Sequence, residues 1–133
     1  MNEIESVCIV GPGRMGRGIA TALLAGASEN RVYLMDVKDR DPGRENGALE
    51  QARKEIERNL TLLKDLGELQ GDPRTRMGRL VLTREPGNGL PECGVVFEAL
   101  PEQPELKQAF LRNAESLFPR DAVIASATST ISL

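Results

Sequence analysis

Histidine is absent from this chain of 133 residues, which removes the side chain most often used as a general base near neutral pH. Any proton transfer here has to use another group. Cysteine is scarce, with Cys8 and Cys93 the two present. They are too few for a disulfide framework and too far apart in sequence for a CxxC pair, so a reducing cytoplasm is the expected location. No run approaches the roughly 18 apolar residues needed to span a bilayer. The opening MNEIESVCIV also lacks the basic stretch and longer apolar segment of a secretion signal. A dominant charge is missing too. Lys and Arg number 17 against 20 Asp and Glu, for a net charge of −3, which marks neither a nucleic-acid binder nor a membrane-surface protein. Hydrophobic residues at 40% and charged residues at 28% suit a soluble globular chain, and the length suits one domain, residues 1–133. No internal repeat or low-complexity segment interrupts it.

What is present is an alternation of apolar runs and helical patterns. Ser6 to Val10, SVCIV, stops abruptly at Gly11 and Pro12, as a buried parallel strand does. From Arg14 the apolar positions Met15, Ile19, Ala22, Leu23 and Ala27 recur at helical spacing and predict one inward stripe, with an end near Gly26 to Asn30. RVYLMD, Arg31 to Asp36, reads as a second strand. After the exposed connection Asp39 to Gly47, a long helix is expected with Leu49, Ala52, Ile56, Leu60 and Leu63 inward and Glu50 paired with Lys54. Gly71 to Gly78 reads as loop, Arg79 to Thr83 as a short strand and Gly94 to Leu100 as a buried strand. A helix from Pro104 to Leu117, with Leu106, Phe110, Ala114 and Leu117 inward, precedes a last strand at Asp121 to Ala125. This order calls for an α/β fold of the Rossmann type, doubly wound, with a mostly parallel sheet and helices on both faces.

The chemistry concentrates at Gly11-Pro12-Gly13-Arg14-Met15-Gly16, a GxGxxG turn between a strand and a helix. The first turn of a helix offers unpaired backbone N–H groups and the positive end of its dipole, where an anionic pyrophosphate fits. Gly11 permits the tight turn, Gly13 leaves room for the phosphate, and Gly16 lets helix and strand approach closely. Gly18 is expected to extend that packing. Glycines of an unrelated α/β protein can produce the same spacing by chance. Here a strand precedes the turn, a helix follows it, and Asp36 closes the next strand 20 residues after Gly16. A carboxylate so placed accepts the adenosine ribose hydroxyls and repels a 2′-phosphate, which favours NAD over NADP. Lys38 and Arg40, close behind, could pair with that phosphate instead.

GPGRMGRGIA from Gly11, VVFEALPEQPELKQAFL from Val95 and AVIASATSTISL from Ala122 together resemble the amino-terminal domain of 3-hydroxyacyl-CoA dehydrogenases. The resemblance is strongest at residues 6–36 and 94–133 and weak between Val37 and Gly89. It implies NAD-dependent oxidation of an L-3-hydroxyacyl thioester, on CoA or an acyl carrier protein, or the reverse reduction. It also implies that Glu102 and Lys107 contact the cofactor near its nicotinamide half, where the residues alone read as a solvated helix start. Ser129, in Ser126-Ala127-Thr128-Ser129, would hydrogen-bond the substrate hydroxyl, where the residues alone read as a polar loop. Arg53, Lys54, Arg58 and Lys64 occupy the region that contacts CoA in the family, although their alternation with glutamates also describes a solvated face.

Two departures qualify the resemblance. Ala127 stands where the family usually has Asn, and the family's catalytic His and Glu, with its helical carboxyl-terminal domain and dimer surface, have no counterpart in these residues. The expectation is a domain that binds NAD without turnover by itself, from a protein whose full-length form is a homodimer. Two other readings stay open: a dehydrogenase of a free hydroxy acid, in the manner of gulonate or carnitine dehydrogenases, and a non-catalytic NAD-binding sensing or assembly module.

Overall fold

Strand β1, Ser6–Val10, is buried along its whole length, which explains why its residues are continuously apolar rather than alternating. In the computed structural model, which describes residues 6–26, 28–85 and 90–126, β1 pairs in parallel with β2 (Arg31–Met35) on one side and β4 (Val95–Glu98) on the other. Outside these lie β3 (Leu80–Thr83) and β5 (Val123–Ser126), also parallel. The order β3-β2-β1-β4-β5 reverses direction between β1 and β4, and a crevice opens at such a switch point beyond the carboxyl ends of the strands.

Successive side chains of the central strands point to opposite faces, and each face has its own core. Ile9, Val32 and Leu34 pack under α1 (Arg14–Ala25) and α2 (Gly47–Asp65), against Ala20, Leu24, Leu49, Ala52, Ile56 and Leu60. Cys8, Val10, Tyr33, Met35 and Val96 pack under α4 (Pro104–Leu117), against Phe110, Ala114 and the following Phe118. The doubly wound architecture with helices on both faces is therefore as the sequence predicts. Residues 49, 52, 56 and 60 face inward as expected, and α4 has the predicted limits.

Several local expectations do not hold. The buried stripe of α1 is Gly16, Ala20, Thr21 and Leu24; of the expected residues Ile19 and Leu23 pack partly buried against this core, Met15 is 53% exposed, and Ala27 lies outside the described residues. The helix is turned by one residue because Gly16 must face the strand: a Cβ there would lie 1.8 Å from the Gly11 carbonyl oxygen and 3.4 Å from Ile9 Cγ2. Gly18 does not extend this packing, since a Cβ there meets nothing within 4 Å. The stretch expected as loop contains α3 (Pro73–Met77), started by Asp72, whose carboxylate accepts from the Arg74 N–H at 2.9 Å. An Asp followed by Pro is the ordinary opening of a helix. Glu50 pairs with Arg53, one residue short of Lys54, at 3.2 Å.

Arg76 and Arg79 tie α3 and the start of β3 to the end of α1. Arg76 donates to the carbonyls of Leu24, Ala25 and Gly26, and Arg79 to those of Leu24, Ser28 and Asn30. The last carbonyls of a helix have no partner within it, and here two guanidinium groups supply one. Burial depresses the Arg79 guanidinium pKa below its usual value, with Arg76 nearby acting in the same direction.

Candidate active site

The glycine turn occupies the switch point. Gly11 has φ +114°, a backbone conformation that side-chain-bearing residues rarely adopt. A Cβ there would stand 2.4 Å from the Ala99 carbonyl oxygen. Gly11 and Gly16 thus let the β1 turn lie against both the β4 loop and α1. Gly13 is different. It is exposed, a Cβ there meets no atom within 4 Å, and it serves as the N-cap of α1 without a side-chain hydrogen bond. No acidic residue occupies the first turn of α1, so the positive helix end has no carboxylate of its own there to neutralise it.

A cleft of about 570 Å³ runs across this turn, bounded by Gly11 to Met15 and Arg17 on one side and Ala99 to Glu102 on the other. Asp36, Lys38 and Arg40 form one end of it. Arg17 is held by Glu55 of α2 at 2.8 Å. The residues fit a dinucleotide: unpaired N–H groups and an open glycine at the centre for the pyrophosphate, and a carboxylate at one end for a ribose. The size is within the ordinary range of cofactor pockets.

Asp36 is not the free diol acceptor that its position suggests. It is 1% exposed, and Arg40 donates from Nε to Oδ2 at 2.9 Å and from Nη2 to Oδ1 at 3.0 Å. The Lys38 backbone N–H donates to Oδ1 at 3.3 Å, and Arg84 Nε lies 4.0 Å from Oδ2. The Asp36 carboxylate beside Arg40 raises the guanidinium pKa above its usual value. Arg40 and Arg84 follow Asp36 by different routes, one four residues on and one from the end of β3, so only the first was visible as spacing.

At the other end, Glu102 lines the exposed mouth of the cleft, whereas Lys107 does not line it. Lys107 is 5% exposed, and its Nζ meets Glu98 Oε1 at 3.0 Å. Glu98 also accepts from the Ser126 hydroxyl at 3.0 Å and, at Oε2, from the Leu100 N–H at 2.8 Å. This buried carboxylate joins the end of β4, the first turn of α4 and the end of β5. Sequence reasoning passed over Glu98 because it sits inside an apolar strand; an ionisable group in such a run is itself a signal, since burial demands a partner. Ser129 and Ala127 lie outside the described residues.

The two cysteines, distant in sequence, are neighbours in space, both fully buried in the core under α4. A hydrogen bond between the thiols, together with burial, pushes the Cys8 pKa up. Among the described residues no group of three His, Cys, Asp or Glu side chains could hold a metal ion, and no helix is long and apolar enough to cross a membrane.

Residues 6–133 match the family described as 3-hydroxyacyl-CoA dehydrogenase, NAD binding domain. The chain belongs to this family. It is 31% identical over 132 residues to a putative fatty acid oxidation complex trifunctional enzyme of Rickettsia prowazekii, covering 99% of the chain and 17% of that protein. It is 30% identical over 128 residues to 5-formyl-3-hydroxy-2-methylpyridine 4-carboxylate 5-dehydrogenase of Mesorhizobium japonicum, covering 96% of the chain and 38% of that protein. Among solved structures it resembles (S)-3-hydroxybutyryl-CoA dehydrogenase of Ralstonia eutropha, with a TM-score of 0.80 and 27% identity over 98% of the chain and 43% of the other. The chain therefore spans less than half the length of each of these relatives. It is an NAD-binding domain of the 3-hydroxyacyl-CoA dehydrogenase family, and NAD is the cofactor to which the cleft is referred.

Proposed function

We propose that these residues bind NAD for an oxidoreductase that converts an L-3-hydroxyacyl thioester to the 3-oxo form, or the reverse. The observation that carries the reading is the turn at Gly11, Gly13 and Gly16, where two glycines are required by backbone contact and the third is left open at the uncapped end of α1. Bound NAD supplies hydride acceptance at its nicotinamide. The chain's own part is to hold and orient it: N–H groups of the α1 first turn at the pyrophosphate, Asp36 at the adenosine ribose, and Glu102 at the mouth towards the nicotinamide. Lys107 acts at one remove, by fixing Glu98 and with it the Leu100 N–H and Ser126. Ser129, three residues beyond Ser126, is assigned to the substrate hydroxyl.

The carrier is CoA or an acyl carrier protein, in keeping with the CoA thioester named for the Ralstonia relative. The Mesorhizobium relative is named for a pyridine carboxylate and not for a thioester, which supports a free-acid substrate as the second reading. Without histidine, the 133 residues bind NAD but do not turn over, and the working protein is a cytoplasmic homodimer that supplies the base from other residues. Titration of the chain with NADH, followed calorimetrically, tests the central claim. Saturable binding of one equivalent is the expected result, and absence of heat at millimolar cofactor refutes it. NADH oxidation on addition of acetoacetyl-CoA, but not of free acetoacetate, by a protein that carries this domain together with a catalytic base separates the thioester reading from the free-acid one.

A further inference from the structure

The adenosine end of the cleft carries more positive charge than a site reserved for NAD requires. An ionised carboxylate has about four acceptor positions. On Asp36 three are taken, two by Arg40 and one by the Lys38 N–H. Oδ2 keeps one position open, but Oδ1 is full. A ribose diol that donates to both carboxylate oxygens therefore has to displace either Arg40 Nη2 or the Lys38 N–H from Oδ1, and a 2′-phosphate arriving there draws Arg40 rather than the backbone N–H. The displaced guanidinium is 26% exposed and lines the cleft beside the exposed Lys38, at the end where the 2′ oxygen of the ribose arrives. Behind it Arg84 donates Nη2 to the Lys38 carbonyl at 2.7 Å, and its Nε, buried and 4.0 Å from Asp36, makes no hydrogen bond. The carboxylate thus stands beside two guanidinium groups, with Lys38 on the lining of the same cleft, and the repulsion by which a lone carboxylate rejects a phosphate is offset. Guanidinium and phosphate form short, charge-assisted and often bidentate hydrogen bonds.

We propose that this end of the cleft accepts a 2′-phosphorylated adenosine as well as a plain one, so that the domain binds NADPH alongside NADH, with Arg40 exchanging Asp36 for the phosphate. The inference rests on the dinucleotide reading of the glycine turn and adds a second cofactor to it. Calorimetric titration of the whole chain with NADH and with NADPH is the test. The wild-type dissociation constants should agree within about tenfold, because the charge that would exclude the phosphate is compensated. Arg40→Gln should widen the NADPH-to-NADH ratio by about tenfold or more, the loss of one charge-assisted contact. That variant also bares Asp36, so the pair Asp36→Asn and Asp36→Asn with Arg40→Gln isolates direct contact. NADPH should bind about tenfold more weakly to the double variant than to Asp36→Asn alone. Equal NADPH binding by those two, or a ratio unmoved by Arg40→Gln, overturns the proposal while leaving NADH binding intact. Loss of both cofactors from the wild-type chain overturns the dinucleotide reading and this proposal together.

Discussion

Three glycines, Gly13 and Gly16 of the turn and Gly18 within α1, can be told apart by a single methyl group. At Gly16 a Cβ would stand 1.8 Å from the Gly11 carbonyl oxygen, a distance that no rotamer relieves, because the oxygen belongs to the backbone and the backbone fixes where a Cβ sits. Either α1 retreats from β1 or the Gly11 turn moves, and both undo packing around Ile9, Ala20 and Leu24. Overpacking of a close backbone contact costs about 1–3 kcal/mol or more. With a urea slope of roughly 1–3 kcal/mol/M, that lowers the unfolding midpoint by about 1 M. At Gly13 the same methyl meets nothing within 4 Å. Exchanging Gly for Ala at an N-cap should cost under ~1 kcal/mol, while the methyl occupies the place of the pyrophosphate and weakens NADH at least about tenfold. At Gly18, exposed within the helix and equally open, alanine should stabilise by roughly 0.5–1 kcal/mol and leave NADH affinity alone. Urea unfolding and NADH titration of Gly13→Ala, Gly16→Ala and Gly18→Ala read all three. The reasoning is refuted if Gly16→Ala unfolds at the wild-type midpoint, or if Gly13→Ala binds NADH like the wild type.

Three further outcomes are expected. Lys107→Met leaves Glu98 buried without its cation and should cost about 3–5 kcal/mol in chemical unfolding, whereas Lys107→Met combined with Glu98→Gln should recover part of that loss. Arg79→Ala removes donors from the carbonyls of Leu24, Ser28 and Asn30 and should cost about 1–3 kcal/mol by thermal unfolding; Arg79→Lys should not restore it, because an ammonium is a point donor and cannot span that fork. Cys8 and Cys93 should resist a thiol reagent at pH 8 in the folded chain and both react in urea. The hydrogen bond between them holds the Cys8 pKa up and the Cys93 pKa down, so the resistance of both rests on their complete burial, and fast reaction of either thiol in the native state would refute their placement.

Much of the site was legible because its demands are local. A phosphate-binding turn needs glycine at particular positions of a strand-to-helix junction, and Gly11, Gly13 and Gly16 are read from their spacing together with the strand before them, the helix after them and Asp36. The long periodic helix and the limits of α4 were equally plain, since a 3.6-residue repeat over many residues has few competing explanations. Where the reading slipped, a contact from elsewhere in the chain had decided the matter. Apolar spacing placed Met15 inward, but the backbone approach at Gly16 set the phase of α1. Asp36 follows β2 and lines the cleft, yet its availability depends on Arg40 and Arg84, and Arg84 reaches it from beyond β3.

The sequence by itself determined the alternation of elements, the parallel sheet, the place of the glycine turn and the resemblance to a 3-hydroxyacyl-CoA dehydrogenase domain, because each depends on residue types a few positions apart. Tertiary structure alone decided that Lys107 turns inward to Glu98, that Cys8 meets Cys93, and that two arginines close the end of α1. Those contacts join residues that the packing of helices on the sheet and the pairing of β1 with β4 bring together. Their partners follow from the rule that buried charge and orphaned backbone groups must be satisfied, and it takes the folded chain to show by which residue.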